Sequence, residues 1–513
     1  MHDELGAAAL RSWARLAVTA LELHRGELDA LNVFPVADSD TGTNLYLTLR
    51  EAAQAIDRLD ADAGPGEVGK AFARGALVGA RGNSGVIVSQ YLGALLRAVA
   101  EVRHTLPAAL HQATAAAYRA VGDPIEGTVL TVARAVGESA HEVAADRAHE
   151  VGADGTLAVL EGAIEAGYVA LSRTTAQLAP LREAGVLDAG GWGLMLVLDA
   201  LADALRGTQR VRQVPVPEAA APAGADGAPV PEGEAPACNG HEYGSGEFEV
   251  MYLVEAAPEL NGDDSVANAL RAGLAKVGES VAVVGGDGLW QAHVHTGDPL
   301  AAVAAAGGAG VEAFGIRVRH IASQTGVHGE HRPRVGLVTV TAAPGLAADL
   351  ARAGAVVVMV GPGHSAGPEL ARAADDTGAA VVVLLAREGL LAEVPERGGL
   401  RVTGGLSEAQ LVAGTATLAS LDPGLDPDEL AAQIETAVAR VRTVSVSGSR
   451  DAAAVVAAAQ SLLEAPCALL TVVTSTGTPA ETVTRLRAAV GSRVELVLLA
   501  GGAPGEQVVL GAE

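Results

Sequence analysis

Two carboxylates two residues apart, Asp38 and Asp40, stand in the segment LNVFPVADSDTGTN (residues 31–44). With one small residue between them, an extended or turn backbone puts both on one side, where they can share a hard divalent cation. Magnesium takes one or two protein carboxylates when phosphate oxygens and waters complete its shell. Two acids therefore suffice if a nucleotide is the co-ligand. Thr41, Gly42, Thr43 and Asn44 follow and open a helix, whose free N–H groups make a phosphate site. The same D-x-D-x-G spacing also fits an Asp cap and turn without metal, and spacing alone does not choose between them.

Three more turns share this style. Gly79–Gly85 is a Gly-rich loop carrying Arg81, Asn83, Ser84 and Gly85, and it leads into an apolar helix. Backbone N–H groups and the Ser84 hydroxyl could cradle phosphate there; a plain N-cap at Asn83 or Ser84 is the competing reading. Glu126-Gly127-Thr128 opens another helix, and Leu187–Gly193, with Asp188 and Gly190, opens a fourth. A Walker P-loop is excluded. The chain's two lysines, Lys70 and Lys276, precede Ala71 and Val277, whereas that loop needs Lys followed by Ser or Thr.

The elements that must position these turns are helices. Trp13, Leu16, Ala17, Ala20, Leu21 and His24 fall on one face, and helical patterns recur over about 43–57, 66–79, 85–102, 108–121, 128–146, 155–173 and 192–205. Residues 206–242, rich in Pro, Ala, Gly and Glu, read as a flexible linker that cannot bury enough apolar surface to order itself. Phe248–Val254, Val281–Val284 and Leu289–Thr296 read as strands with a helix near 264–277, giving a small α/β domain over 243–332. From 333 to 513, apolar runs at Val335–Val340, Ala355–Val360, Ala380–Leu385, Ala468–Val473 and Val494–Leu499 alternate with helical stretches, which predicts a C-terminal α/β sheet domain.

Composition narrows the class. A chain of 513 residues with 49% hydrophobic content predicts several globular domains rather than one core. A net charge of −26 opposes nucleic acid and anionic lipid as partners. Cys238 and Cys467 form no spaced framework, the first residues carry acids, and no apolar run spans a bilayer; the expectation is a cytoplasmic protein without an integral membrane segment.

LNVFPVADSDTGTNL, GARGNSGVIVSQ, EGTVLTVAR and LDAGGWGL, in that order over about residues 5–205, closely resemble the DhaL-like nucleotide-binding domain of the large subunit of bacterial fatty acid kinase. That domain is related to the ADP-binding subunit of dihydroxyacetone kinases. The resemblance implies an eight-helix antiparallel barrel over 1–205 that holds Mg·ATP at one end through its inter-helix loops. On that basis Asp38 and Asp40 ligate Mg²⁺ and Thr43 and Asn44 touch the phosphates. Asn83 and Ser84 line the nucleotide, and Thr128, Asp188 and Gly190 close the site. The dihydroxyacetone kinase relatives carry a third aspartate shortly before the pair; here Val33 has that spacing, with Asn32 the nearest polar side chain.

Farther along, WQAHVHTGDP (290–299) resembles the family's HVHT-x-DP strand. His293 and His295 fall on one strand face because side chains alternate with period two, so both imidazoles could bind one Zn²⁺. Glu249 stands where some relatives have a cysteine; a polar network of half-buried histidines is the alternative. The closing strand at 494–499 and its Gly501-Gly502-Ala503-Pro504 turn also resemble the family, whereas Gly361–Pro368 departs from its Gly-Gly-Gln-Thr-Met-Asn-Pro-Ser loop. That loop also fits a loose dinucleotide fingerprint, although Pro362 and Pro368 stiffen it and favour a strand–helix turn.

The family implies a homodimeric kinase component that phosphorylates the carboxylate of a fatty acid presented by a DegV-like carrier protein. Arg81 is a candidate for stabilising the transferred charge. A dihydroxyacetone-type small-molecule kinase and a non-catalytic nucleotide-binding scaffold are the alternatives.

Overall fold

The computed structural model describes residues 5–100, 105–146, 153–208, 246–256, 264–323, 333–360, 366–387, 389, 394, 397–422, 424–447, 451–491, 493–502 and 507–513. Most of the expected linker, with Cys238, lies outside them, as do 361–365 of the Gly-rich loop and Ala503 and Pro504 of the closing turn.

The amino-terminal region is helical throughout. It comprises α1 (Ala7–Leu31), α2 (Thr41–Asp57), α3 (Pro65–Gly79), α4 (Gly82–Ala100), α5 (Leu106–Ala120), α6 (Val129–Asp146), α7 (Ala153–Gln177), α8 (Ala179–Ala184) and α9 (Ala189–Arg206). In α1, Leu10, Trp13, Ala14, Ala17, Leu21 and Leu28 recur at three-, four- and seven-residue intervals and are buried, as an amphipathic helix requires. Trp13 sets its ring edge-on to Phe72 at 5.0 Å and donates its indole N–H to the Val197 carbonyl at 2.9 Å, tying α1 to α3 and α9. Each helix from α1 to α7 packs on the next, α7 packs on α9, and α9 returns to α1. The six-residue α8 is an addition to the expected set; Gly185, at φ +69°, ends it in the left-handed region where only glycine sits without cost.

Beyond α9 come β1 (Phe248–Glu255), α10 (Ser265–Leu274), β2 (Gly278–Gly286), β3 (Leu289–Thr296), α11 (Pro299–Gly308), β4 (Ala313–His320), β5 (Val335–Thr341), α12 (Ala347–Arg352), β6 (Val356–Met359), α13 (Gly367–Asp376), β7 (Val381–Arg387), β8 (Leu400–Leu406), α14 (Glu408–Leu418), α15 (Pro427–Arg440), β9 (Arg442–Ser447), α16 (Ala452–Leu463), β10 (Leu469–Thr474), α17 (Ala480–Val490), β11 (Glu495–Ala500) and β12 (Gln507–Ala512). The chain divides into two compact units, one of residues 1–245 with 255–295, the other of 246–254 with 296–513.

In the first unit the β2–β3 region is held to the helices by hydrogen bonds. Gly122 N–H donates to Val281 at 3.0 Å, Gly285 N–H to Gln90 Oε1 at 2.9 Å, and Gln291 Nε2 to the Ala80 carbonyl at 3.3 Å. In the second unit the strand order is β1-β4-β6-β5-β7-β8, with a separate sheet ordered β11-β10-β12-β9. The expectation of one sheet beyond residue 333 therefore gives way to two. The reason is β4, which pairs antiparallel with both β1 and β6 and so joins β5–β8 to the preceding region. Its alternating arginines, Arg317 and Arg319, hide it from an apolar-run reading. No helix among the described residues is long and apolar enough to cross a membrane.

Gly42 marks where fold and candidate chemistry meet. A Cβ there would overlap the Arg25 carbonyl oxygen and come within 2.8 Å of Leu28 Cβ, so α2 starts flush against α1. Gly42→Ala should cost about 1–3 kcal/mol through overpacking. Because the clash lifts the first turn of α2, nucleotide affinity should fall along with the melting temperature; unchanged values of both would remove Gly42 from this role.

Candidate functional site

Asp38 and Asp40 flank Ser39, which sits at φ +54°, a left-handed conformation rare for a residue with a side chain and concentrated at functional turns. Asp40 is buried and occupies the N-cap position of α2, yet its side chain makes no capping bond to that helix. The cap comes from elsewhere. Asp29, in the last turn of α1, accepts the Thr43 N–H at 2.9 Å through Oδ1 and the Thr43 hydroxyl at 2.8 Å through Oδ2. Arg25 Nε donates to the same hydroxyl at 2.8 Å. A third aspartate therefore does stand before the pair, but at residue 29, not at the position of Val33. Asn32, the expected substitute, donates through Nδ2 to Asp38 Oδ1 and so orients Asp38.

The other predicted turns gather round this one. Thr41 Oγ1 lies 3.4 Å from Ser84 Oγ, joining the first turns of α2 and α4. Gly82, at φ +54°, brings its backbone against the Asn44 amide, and a Cβ there would overlap Asn44 Nδ2. A Cβ on Gly190 would stand 3.7 Å from Ser84 Oγ and 3.4 Å from Val129 Cβ, which places the starts of α9 and α6 beside that of α4. Four helix N-termini thus aim their partial positive charge at one neighbourhood, next to two acids. That geometry follows from helices that alternate in direction, since every second one starts at the same end.

Several predicted side chains are taken up by structure. Thr43 is turned to Asp29 rather than outward. The Thr128 hydroxyl donates to the Ile125 carbonyl at 2.7 Å, holding the turn before α6. Gly85 packs α4 on α2, where a Cβ would overlap Thr48 Oγ1. Arg81 is almost wholly buried, with Nη1 on the Gly79 carbonyl and its backbone N–H donating to Thr48 Oγ1 at 3.1 Å. It braces the α3–α4 turn. Asn83 is half-buried in the first turn of α4.

Asp188 caps α9, accepting the Gly191 N–H at 2.6 Å. Burial pushes its pKa up to about 6, against the pull of the Gly191 and Val129 backbone amides. A folded pKa above the unfolded 3.8 means stability present at low pH and lost as pH climbs through 6. The ionised carboxylate then costs about 3 kcal/mol at neutral pH. Asp188→Asn, which keeps an acceptor for Gly191, should flatten the fall in melting temperature between pH 4 and 7; a variant with the wild-type slope would contradict this.

In β3, His293 and His295 are buried, with ring centroids 5.0 Å apart. Together with buried Glu249 they offer ligand atoms within 4.8 Å of one another. Tetrahedral zinc sets its ligands about 3.4 Å apart, so a small contraction suffices. The donor types fit, but Glu249 Oε2 accepts from Arg319 Nε at 2.6 Å, and that guanidinium competes with any cation.

Comparison with known proteins gives two domain matches. Residues 35–203 match the model of the DAK2 domain, and 245–326 match that of the FakA-like middle domain of fatty acid kinase. Protein YloV of Bacillus subtilis is 31% identical over 54% of this chain and 49% of its own length. Uncharacterized proteins of Staphylococcus saprophyticus and Staphylococcus aureus are 38% and 39% identical, over 38% and 35% of this chain and 35% and 32% of theirs. The chain thus matches half or less of the length of these relatives. Among solved structures, a dihydroxyacetone kinase from C. freundii in complex with AMP-PNP and Mg²⁺ is 21% identical over 38% of this chain and 33% of that chain, with a TM-score of 0.30.

Proposed function

We propose that the protein is an ATP-dependent phosphotransferase whose helical region, an antiparallel helical barrel, binds Mg·ATP among the first turns of α2, α4, α6 and α9. One observation carries this reading above the capping alternative. Asp29 does the capping of α2, so Asp40 stands at the head of that helix without serving as its cap. The DAK2 domain match supports the same assignment.

On this reading Asp38 and Asp40 hold magnesium, which when bound neutralises charge on the β- and γ-phosphoryl oxygens. Asn32 fixes the rotamer of Asp38, and the helix N-termini with Ser84 and Thr41 receive the phosphates. Arg81 acts by positioning the α3–α4 turn. The acceptor is the carboxylate of a fatty acid, presented by a DegV-like carrier. One carboxylate oxygen bonds to the γ-phosphorus, the bond to the bridging oxygen breaks, and ADP leaves with an acyl phosphate formed. A carboxylate is ionised at neutral pH, so no general base is required and catalysis reduces to alignment and charge stabilisation. The match to the middle domain of fatty acid kinase favours this acceptor over dihydroxyacetone.

Transfer of labelled γ-phosphate to fatty acid should require an added carrier. It should fall by more than about 100-fold in Asp38→Asn or Asp40→Asn while the helical signal persists, since even residues that only orient metal ligands cost 10–100-fold. Full activity in both variants, or carrier-independent turnover, would sink the respective assignment.

The same reading gives Glu249, His293 and His295 a zinc ion, with Arg319 displaced from Glu249. Metal analysis of the purified protein should find about one zinc per chain, lost in a His293→Ala His295→Ala variant. A zinc-free protein that takes up none on addition would leave the cluster a polar network.

A further inference from the structure

A cavity of about 570 Å³ in the first unit is lined from α4, α5, α10, β2 and β3. Its charge is inverted relative to the molecule. The chain carries 61 acidic against 35 cationic side chains. Yet the cavity gathers Arg97, Arg119, Arg271 and His111 around a single lining carboxylate, Asp264, among the described residues.

Neither Arg97 nor Arg119 forms an ion pair with a described residue. Arg271 is half-buried: Nη1 donates to Asn268 Oδ1 at 2.9 Å and Nη2 to the Val283 carbonyl at 3.3 Å. Its Nε is buried without a hydrogen-bond partner among the described residues. Burial pulls the pKa of this guanidinium down, so an anion that shares its enclosure stabilises it. Three guanidiniums facing one concavity repel each other unless an anion joins them. The volume lies within the 300–1,000 Å³ usual for small-ligand sites and argues against a flat protein-docking face. The cavity is also distinct from the proposed nucleotide loops. Arg97 follows Ser84 by thirteen residues on the same helix, about 20 Å along its axis.

We propose that this cavity binds a small polyanion bearing phosphoryl groups, held bidentately by Arg97 and Arg119 and on its inner side by Arg271.

The test is calorimetric titration of the full chain with inorganic pyrophosphate in EDTA, which removes metal-dependent binding at Asp38 and Asp40. Wild type should bind, and more weakly as salt rises. Arg119→Glu and Arg97→Gln should each weaken binding at least tenfold, while Asp38→Asn/Asp40→Asn binds as wild type. No binding by wild type, equal binding in both arginine variants, or loss confined to the aspartate variant would each overturn the proposal.

Discussion

The candidate site rests on one buried contact, the Asp29 carboxylate bridging the amide and hydroxyl of Thr43. A carboxylate in the last turn of a helix faces the negative end of that helix's dipole, which disfavours it. Burial adds a desolvation cost. Both are offset because α1 and α2 meet where the C-terminal carboxylate of one finds the N-terminal donors of the other. The contact therefore does two things at once: it satisfies α2's first turn, and it relieves Asp40 of that duty. Gly42 makes it possible, since any side chain there would hold the two helices apart.

From this contact the rest of the site follows by packing. With α2 anchored, Thr41 reaches Ser84 and Asn44 meets Gly82. The α9 start, held by Asp188, closes from the other side. Two acids would repel each other in such a place were they not opposed by four converging helix dipoles. Asp188, whose burial favours its protonated form, adds less negative charge than an exposed aspartate would.

Much of this was legible in the sequence. The helices and their small-residue starts show in the apolar period and in runs such as Gly79–Gly85, and the strands at Phe248 and Leu289 begin where alternation says. What was not legible is contact-dependent. Asp29 carries no spacing relation to Asp38 and reads as one polar residue on a long helix; its one signal, an acid at the wrong end of a helix, needs the helix's end to be known. Arg81 looks like a phosphate ligand in a Gly-rich loop, and only the fold shows its head turned inward. β4, β8, β9 and β12 escaped because they carry charged, threonine or glycine residues, such as Arg317 and Gly405, where a buried strand is expected to be uniformly apolar. The third carboxylate was sought by counting back from the pair, whereas space is counted through the helix.

Gly42, Gly82, Gly85 and Gly193 share a property that extends past binding. At each, a single added methyl meets a neighbouring atom, and at Gly193 that atom belongs to Leu45. This sequence is dominated by small residues and has almost exchanged lysine for arginine, the imprint of a mutational pressure that converts residues freely wherever sterics permit. Glycine and alanine are a single nucleotide step apart in their codon pattern, so that pressure tests these positions constantly. The helix starts around Asp38 and Asp40 behave as a mould that admits one residue size. Drift in composition can reshape the surface and the sheets, but the mould must be copied unchanged or refilled by several substitutions together.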